Sequence, residues 1–425
     1  MEIEKATVVN RKEKLWNKNF FLIWQGQLVS AFGDVVYEMA LGFWVLALTG
    51  STALMGTLMA ASMLPRVLIS PFAGVIVDRS DRKWMIVLMD VVRGVFITFV
   101  GIAALLGFIQ LWMVFAAGII MGISAAFFNP AVSSSIPDLV PKDKLIKANS
   151  VMSIAFTSTN FIGSAAGGFI YKIIGAPMMF LANGISYLFS AFTEIFIKVP
   201  KIQRKAEKTH FKEDFKEGFK FVWSVKGLRY LIIMAAALNF FASIAMVLTL
   251  PMFQQSEALG PEKYGLAMGL FTIGMVGGML YTTIGNIQSS KKYNIFMMAS
   301  MIFTLASTLF PLFNNFYVII TLLFISGFFN AIVNALINSS VQYTVPQELR
   351  GKVFGLMNTV VQGLTPIALA FGGILGELLP IRLVISLSFG ITFVLILGFA
   401  FIQSFKKFIA FDPEVDKLEK LMEAV

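Results

Sequence analysis

The chain has 425 residues, of which 57% are hydrophobic and 14% charged, with no cysteine, a single histidine and a formal net charge of +10. Soluble domains carry about 25% charged residues, so a soluble enzyme is excluded, and the missing cysteines exclude disulfides, thiolate metal sites and cysteine nucleophiles. The apolar residues fall into runs of about 20 or more, enough to cross a roughly 30 Å hydrocarbon core at about 1.5 Å per residue, which predicts an all-α membrane protein.

Twelve transmembrane helices are predicted, at 20–48, 53–77, 84–107, 111–136, 151–174, 177–197, 228–254, 264–287, 294–313, 316–344, 352–379 and 381–404. The first is too long and too acidic for a cleavable signal peptide. It carries Gln27, Ser30, Asp34 and Glu38, a polar stripe of which Gln27 and Ser30 are expected to line a substrate cavity and whose two acids, four residues apart, share one face. A charge at mid-bilayer costs about 2.5–3.5 kcal/mol on insertion scales, and adjacent carboxyls raise each other's proton affinity. Asp34 and Glu38 are therefore candidates for proton coupling. Direct contact with a cationic substrate, or neutralisation by Arg66 or Arg93, are the other readings.

The second span contains Arg66 deep beside Pro65, costly to bury and expected to pair with an acid, with contact to a substrate anion as the alternative. It runs into a basic turn, Asp78-Arg79-Ser80-Asp81-Arg82-Lys83. In that turn Asp78 is expected to cap the following helix or to sit at its positive N-terminus. On the third span, Asp90 and Arg93 are three apart and can pair, either bracing that turn or relaying protons. The fifth holds Gly163, Gly167 and Gly168, which allow close helix approach. Between the sixth and seventh spans the composition breaks at 198–227, where Phe211, Phe215, Phe219 and Val222 recur among Lys and Glu as on an amphipathic surface helix; His210 beside it reads as a solvated surface residue. Polar stripes recur at Asn330, Asn334 and Asn338 on the tenth span and at Asn358 and Gln362 on the eleventh, lining a cavity or bonding between helices.

The division is 1–197 for the N-terminal six helices, 198–227 for the linker, 228–405 for the C-terminal six and 406–425 for a tail. A short repeat supports duplication: Phe127-Phe128-Asn129 precedes Val140-Pro141, and Phe328-Phe329-Asn330 precedes Val345-Pro346. The pattern predicts two pseudo-symmetric six-helix bundles that rock about a central site. With the N-terminus inside, 29 of the 34 Lys and Arg fall on the inner side; the positive-inside rule then makes both termini cytoplasmic. The basic balance thus follows the membrane, and no nucleic-acid partner is expected. A G-x-x-x-x-G-K-[ST] phosphate loop is absent, so an ion gradient would power any active transport.

The stretch Gly74-Val75-Ile76-Val77-Asp78-Arg79-Ser80-Asp81-Arg82-Lys83 resembles the G-x-x-x-D-R-x-x-R-[RK] signature of the major facilitator superfamily, in its usual place between spans two and three. Gly33-Asp34, Asp90-x-x-Arg93 and the run from Asn129-Pro130-Ala131 through Ile136-Pro137-Asp138-Leu139-Val140-Pro141 resemble the macrolide-efflux and enterobactin-exporter branch. The resemblance implies the major facilitator fold and a gating role for Gly74, Asp78, Arg79, Asp81, Arg82 and Lys83, which would latch across to the other bundle in the outward-open state. Two departures weaken the antiporter assignment: residues 111–136 hold no arginine, and Ser164 stands where the antiporter motif has proline. Together these readings give an expected function, not enzymatic and without cofactor or metal: a monomeric proton-coupled exporter of amphipathic small molecules, such as macrolide-like drugs or siderophores, in a bacterial cytoplasmic membrane. Symport uptake of a small solute, divalent-metal export through Asp34 and Glu38, and a non-transporting membrane partner acting through 198–227 are the alternatives.

Overall fold

The computed structural model describes residues 15–198, 211–285 and 287–411. The charges before residue 15, His210 with most of the linker's first half, and the end of the tail lie outside the described residues. The helices are α1 (Lys18–Thr49), α2 (Thr52–Arg79), α3 (Arg82–Leu105), α4 (Leu111–Leu139), α5 (Leu145–Glu194), α6 (Phe211–Ser224) and α7 (Lys226–Gln254), then α8 (Pro261–Ile284), α9 (Ser289–Leu309), α10 (Phe316–Thr344), α11 (Gln347–Gly363), α12 (Thr365–Leu378), α13 (Ile381–Ala400) and α14 (Gln403–Ile409).

Among the described residues, eleven helical stretches are long and apolar enough to span a membrane, and one of them, Lys142–Glu194, has 53 residues. At about 1.5 Å per residue that is about 80 Å, more than twice the hydrocarbon thickness. Gly175, at φ 72° and ψ 168°, folds it back on itself just before Pro177. Only glycine takes that backbone conformation readily, so α5 is two crossing arms, 145–174 and 176–194, and the crossings number twelve. The eleventh predicted span is likewise broken: Pro366, which lacks an N–H, starts a new helix after Leu364, and the neighbouring Thr365 hydroxyl donates to Asn239 Oδ1 on α7 at 2.8 Å.

Short-range chemistry fixes the ends. Asn17 caps α1 by accepting from the Phe20 N–H at 3.0 Å, and its own amide donates to Leu139 O at 2.7 Å, tying the start of α1 to the end of α4. The cap of α3 is Asp81 rather than the expected Asp78, because α2 runs on through Arg79 and leaves Asp78 inside its last turn. The two copies of the repeat end α4 at Leu139 and α10 at Thr344, each followed by Val-Pro.

Among the described residues the apolar core separates into three clusters. One joins the two halves, packing Phe43, Leu46 and Met55 with Leu248, Phe253 and Tyr264. It lies toward the end of the molecule bearing the α1–α2 and α7–α8 turns. At the other end, which carries the 78–83 turn and most of the described basic residues, each half has its own cluster: Phe20, Ile86, Ile136 and Met152 in the first, Leu231, Phe296, Leu336 and Phe405 in the second. A shared core at one end and separate cores at the basic end describe two bundles closed at one side and parted at the other.

Glycines make the closed side possible. A Cβ on Gly56 would overlap Leu369 O and come within 2.9 Å of Gly373 Cα, and one on Gly265 would lie 2.9 Å from Ser164 O. Nearer the basic end, by contrast, a Cβ on Gly363 of α11 would find Val67 of α2 only at 4.0 Å. The cross-half polar contacts sit on the closed side as well: Lys172 to Glu262 at 2.9 Å, Ser51 to Glu377 at 2.8 Å, Thr52 to Gly373 O at 2.8 Å and Gln254 to Phe43 O at 3.2 Å.

Candidate functional site

The polar stripe of α1 splits between two environments. Gln27 and Ser30, expected to line a cavity, are instead packed between helices, at 6% and 4% exposure. Small residues on α1 admit the second arm of α5 there: a Cβ on Gly26 would lie 2.7 Å from Ser190 Oγ and 3.2 Å from Glu194 Oε1. Gly33 does the same one level up, where a Cβ would overlap Asn183 Oδ1 and lie 2.8 Å from Ser186 Oγ. Beside it, half-buried Asp34 accepts a hydrogen bond from the hydroxyl of fully buried Tyr187. Glu38, one turn further on, is exposed. Its charge reaches both Asp34 and Tyr264 of the other half, so it faces the space between the halves.

Arg93 closes the other side of this network. Its guanidinium lies between the rings of Phe128 and Tyr187, 3.9 Å and 4.5 Å from their centroids, and pairs with the Asp90 carboxylate one turn back on α3. Nε donates to Met89 O at 3.3 Å. A planar cation can stack on two aromatic faces while it also donates in its own plane, which accounts for arginine at this position. Arg66 behaves otherwise: it is exposed and makes no ion pair within 4 Å among the described residues, although its charge acts on Asp34 and Glu38. The expectation that it is buried against an acid is therefore corrected.

Sequence reasoning missed the face of α5 that completes the network. Asn183, Tyr187, Ser190 and Glu194 follow at steps of four, three and four, the spacing of one helical face. Tyr187, Ser190 and Glu194 have no exposed surface and Asn183 has 1%. The signal was present in an otherwise apolar span, but Glu194 falls near its end, where a charge does not stand out.

The 78–83 turn is held within its own half. Arg82 donates to Asp138 at 2.7 Å and to Ser134 O at 2.9 Å, and reaches Asp78 at 3.3 Å. Asp78 and Arg79 are exposed, and Lys83 lies over the Trp84 ring at 5.5 Å. None of these contacts crosses to the second half, as fits a molecule parted at the basic end; Gly74 has no neighbour within 4 Å of an added Cβ. In the second half, Asn334, Asn338, Asn358 and Gln362 are exposed and Asn330 is half-buried, accepting from Asn334 at 3.1 Å. Among the described residues no group of three or more His, Cys, Asp or Glu is arranged to hold a metal ion.

Two helical bundles closed at one end, parted at the other and carrying charged groups at mid-span have the architecture of a membrane transporter. The chain belongs to the Major Facilitator Superfamily, whose profile it matches over residues 23–369. It is thus a multi-pass membrane transporter rather than an enzyme. Among its relatives is macrolide efflux protein A of Streptococcus pyogenes, 25% identical over 377 residues, covering 85% of this chain and 90% of the relative. Among solved folds, a bacterial homologue of the human lysosomal transporter Spinster, inward-facing and unoccupied, superposes with a TM-score of 0.67 at 12% identity over 93% of this chain and 97% of that one. The nucleoside transporter NupG superposes with a TM-score of 0.71 at 14% identity over 90% and 98%.

Proposed function

We propose that this transporter exports amphipathic small molecules of the macrolide or siderophore kind from a bacterial cytoplasm in exchange for protons. The observation that carries the reading is the disposition of the two acids of α1: Asp34 bonded to Tyr187 in the wall of the first half, and Glu38 exposed toward the second. A carboxyl that faces water in one state and a dry helix seam in the other binds and releases a proton as access alternates. The similarity to macrolide efflux protein A supports export and the substrate class. The exposed amides Asn334, Asn358 and Gln362, with half-buried Asn330, are proposed to face substrate from the second half.

In this reading the bundles are 1–197 and 228–405, joined by a cytoplasmic linker at 198–227 and followed by a cytoplasmic tail at 406–425, and the transporter works as a monomer. The distribution of Lys and Arg supports both termini lying in the cytoplasm, with the basic end facing inward. The 78–83 turn then latches the basic end when the opposite side opens. Each 100 mV of proton driving force supplies about 2.3 kcal/mol per proton, and at about 1.4 kcal/mol per tenfold that sustains roughly a 40-fold substrate gradient.

The test uses inside-out vesicles with an acidified interior followed by a pH-quenched dye. Macrolides, lipophilic cations and catecholate siderophores are added in turn. Dye recovery with one class, abolished by Asp34→Asn at equal protein level, is the expected result. Recovery that survives Asp34→Asn refutes the coupling assignment. Recovery only with divalent metal salts, or none with any compound beside uptake of a labelled solute, replaces export of organic molecules by metal export or symport.

A further inference from the structure

Glu194 is the last residue of α5 and has no exposed surface. Its carboxyl and the Ser190 hydroxyl crowd the same point beside Gly26 of α1, and it interacts with the Asp90 carboxyl of α3. Asp90 Oδ2, both Glu194 oxygens and Ser190 Oγ are buried, and none has a hydrogen-bond partner of good geometry. An ionised carboxylate is acceptor-only, so two of them side by side cannot bond to each other. Left charged and dry, they also repel at the point where the protein offers least screening.

The surrounding charge cannot serve both. Besides Glu194, the titratable or charged groups acting on Asp90 are Arg93 of its own helix, Asp34 of α1 and Tyr187 of α5; those acting on Glu194 include Asp90 and Arg93. α4 faces Arg93 with the uncharged Phe128 ring. Three carboxyls, Asp34, Asp90 and Glu194, thus share the one buried guanidinium of Arg93, which is already committed to Asp90 Oδ1. Fully ionised, these four groups carry a net charge of minus two; the exposed Arg66 adds its charge at Asp34, which leaves Asp90 and Glu194 to share Arg93 in a dry seam where an unpaired charge is costly.

We infer that Asp90 and Glu194 form a buried carboxyl pair that holds one proton between them, a second proton site on the basic-end side of Asp34. The proton comes from water, sits on a Glu194 oxygen and is donated to Asp90 Oδ2, while Asp90 Oδ1 keeps its pair with Arg93. The network of Asp34, Asp90, Glu194 and Arg93 then carries a single net negative charge. Protonation at Asp34 alone brings it to neutrality. This second consequence rests on the coupling role proposed for Asp34; the existence of the pair does not.

The pair is tested without substrate, by infrared spectroscopy of the purified full-length protein in lipid nanodiscs. A carbonyl band of a protonated, buried carboxyl is expected in the wild type, shifted when glutamate is labelled with carbon-13. Glu194→Gln and Asp90→Asn should each remove or displace that same band, whereas Glu257→Gln, in an exposed loop, should leave it in place. Proton uptake on a pH jump should fall by one per chain in the double variant, not by two. Spectra of Glu194→Gln and Asp90→Asn identical to wild type in this region overturn the inference. Should either variant fail to fold, the absence of a glutamate-sensitive band in the labelled wild-type protein overturns it equally. Failure of the Asp34→Asn vesicle assay with the band intact would sink the coupling role of Asp34 and leave the pair standing.

Discussion

Wedging the closed seam should open it. Gly56→Leu puts a side chain where even a Cβ overlaps Leu369 O and lies 2.9 Å from Gly373 Cα and 3.1 Å from Gly373 N. All three are backbone atoms, so no rotamer change relieves the clash. Overpacking of this kind costs about 1–3 kcal/mol in a core that cannot move. Here the two halves can move apart, because the ion pair and hydrogen bond between charged and polar side chains across this side, Lys172–Glu262 and Ser51–Glu377, are solvent-exposed and worth at most about 1 kcal/mol each. The strain is therefore expected to emerge as a population shift of roughly 5- to 150-fold toward the state open on that side. The cysteine-free sequence permits clean spin labels at Gln110→Cys and Asn314→Cys, in exposed turns on the closed side, and at Ser80→Cys and Lys291→Cys at the basic end. Electron–electron distances should lengthen for the first pair and shorten for the second in Gly56→Leu. Gly363→Leu, placed where there is room, should change neither. Unchanged distributions in folded Gly56→Leu protein would refute the argument that glycine contact sets which side is closed.

Other substitutions probe the first half. Gly33→Ala sets a methyl against Asn183 Oδ1 and Ser186 Oγ and should cost about 1–3 kcal/mol, seen as a lower melting temperature in detergent; a wild-type melt would mean that the α1–α5 seam is looser than described. Arg82→Ala removes a charged partner of an Asp138 side chain that is 4% exposed; loss of such a partner costs up to about 3–5 kcal/mol, and Arg82→Lys should recover little, since one ammonium cannot reproduce the fork that serves both Asp138 and Ser134 O. Arg93→Lys keeps the charge but loses stacking on Phe128 and Tyr187, a loss of about 0.5–2 kcal/mol per ring, again read as a melting temperature; stability equal to wild type would deny the stacking any weight.

The crossings were legible because each lays down about 20 apolar residues between charges, and the family because a charged turn such as Asp78–Lys83 is rare between two spans. The fold-back at Gly175 was legible too, as the gap between the spans predicted at 151–174 and 177–197, whereas Pro366 shows where such reading stops. Hydropathy averages over a window and does not register a break inside a span. The site was half legible. Asp34, Glu38, Asp90 and Arg93 stand out by charge, but a stripe has two sides, and only packing shows that Gln27 and Ser30 face α5 while Glu38 faces outward. Arg66 was expected to pair with an acid because a bare charge is costly within a span; exposure to a parted cleft meets that need as well as an acid does. Glu194 was missed because its burial comes from α1 and α3, more than 100 residues earlier in the chain, and nothing local reveals that.

The placement of charge also bears on how such a molecule can move at all. The buried or part-buried contacts that involve a charged side chain at depth, Arg93–Asp90, Tyr187–Asp34 and Arg82–Asp138, lie within the first half, and the described acids and bases of the second half lie at or beyond the ends of its spans. Breaking a buried pair costs several kcal/mol, so an ion pair of that kind across the cleft would hold one state too firmly for rapid exchange. What rocking must break is different in kind: exposed contacts at Lys172 and Glu377, a few hydrogen bonds to backbone carbonyls, and apolar contact eased by glycine. Protonation can then change inside one rigid bundle while the seam between bundles stays cheap to open. On this argument Asp90→Asn should lower the melting temperature yet leave the spin-label distances across both ends as in the wild type. A shift of those distances would mean that the buried network reaches across the seam after all.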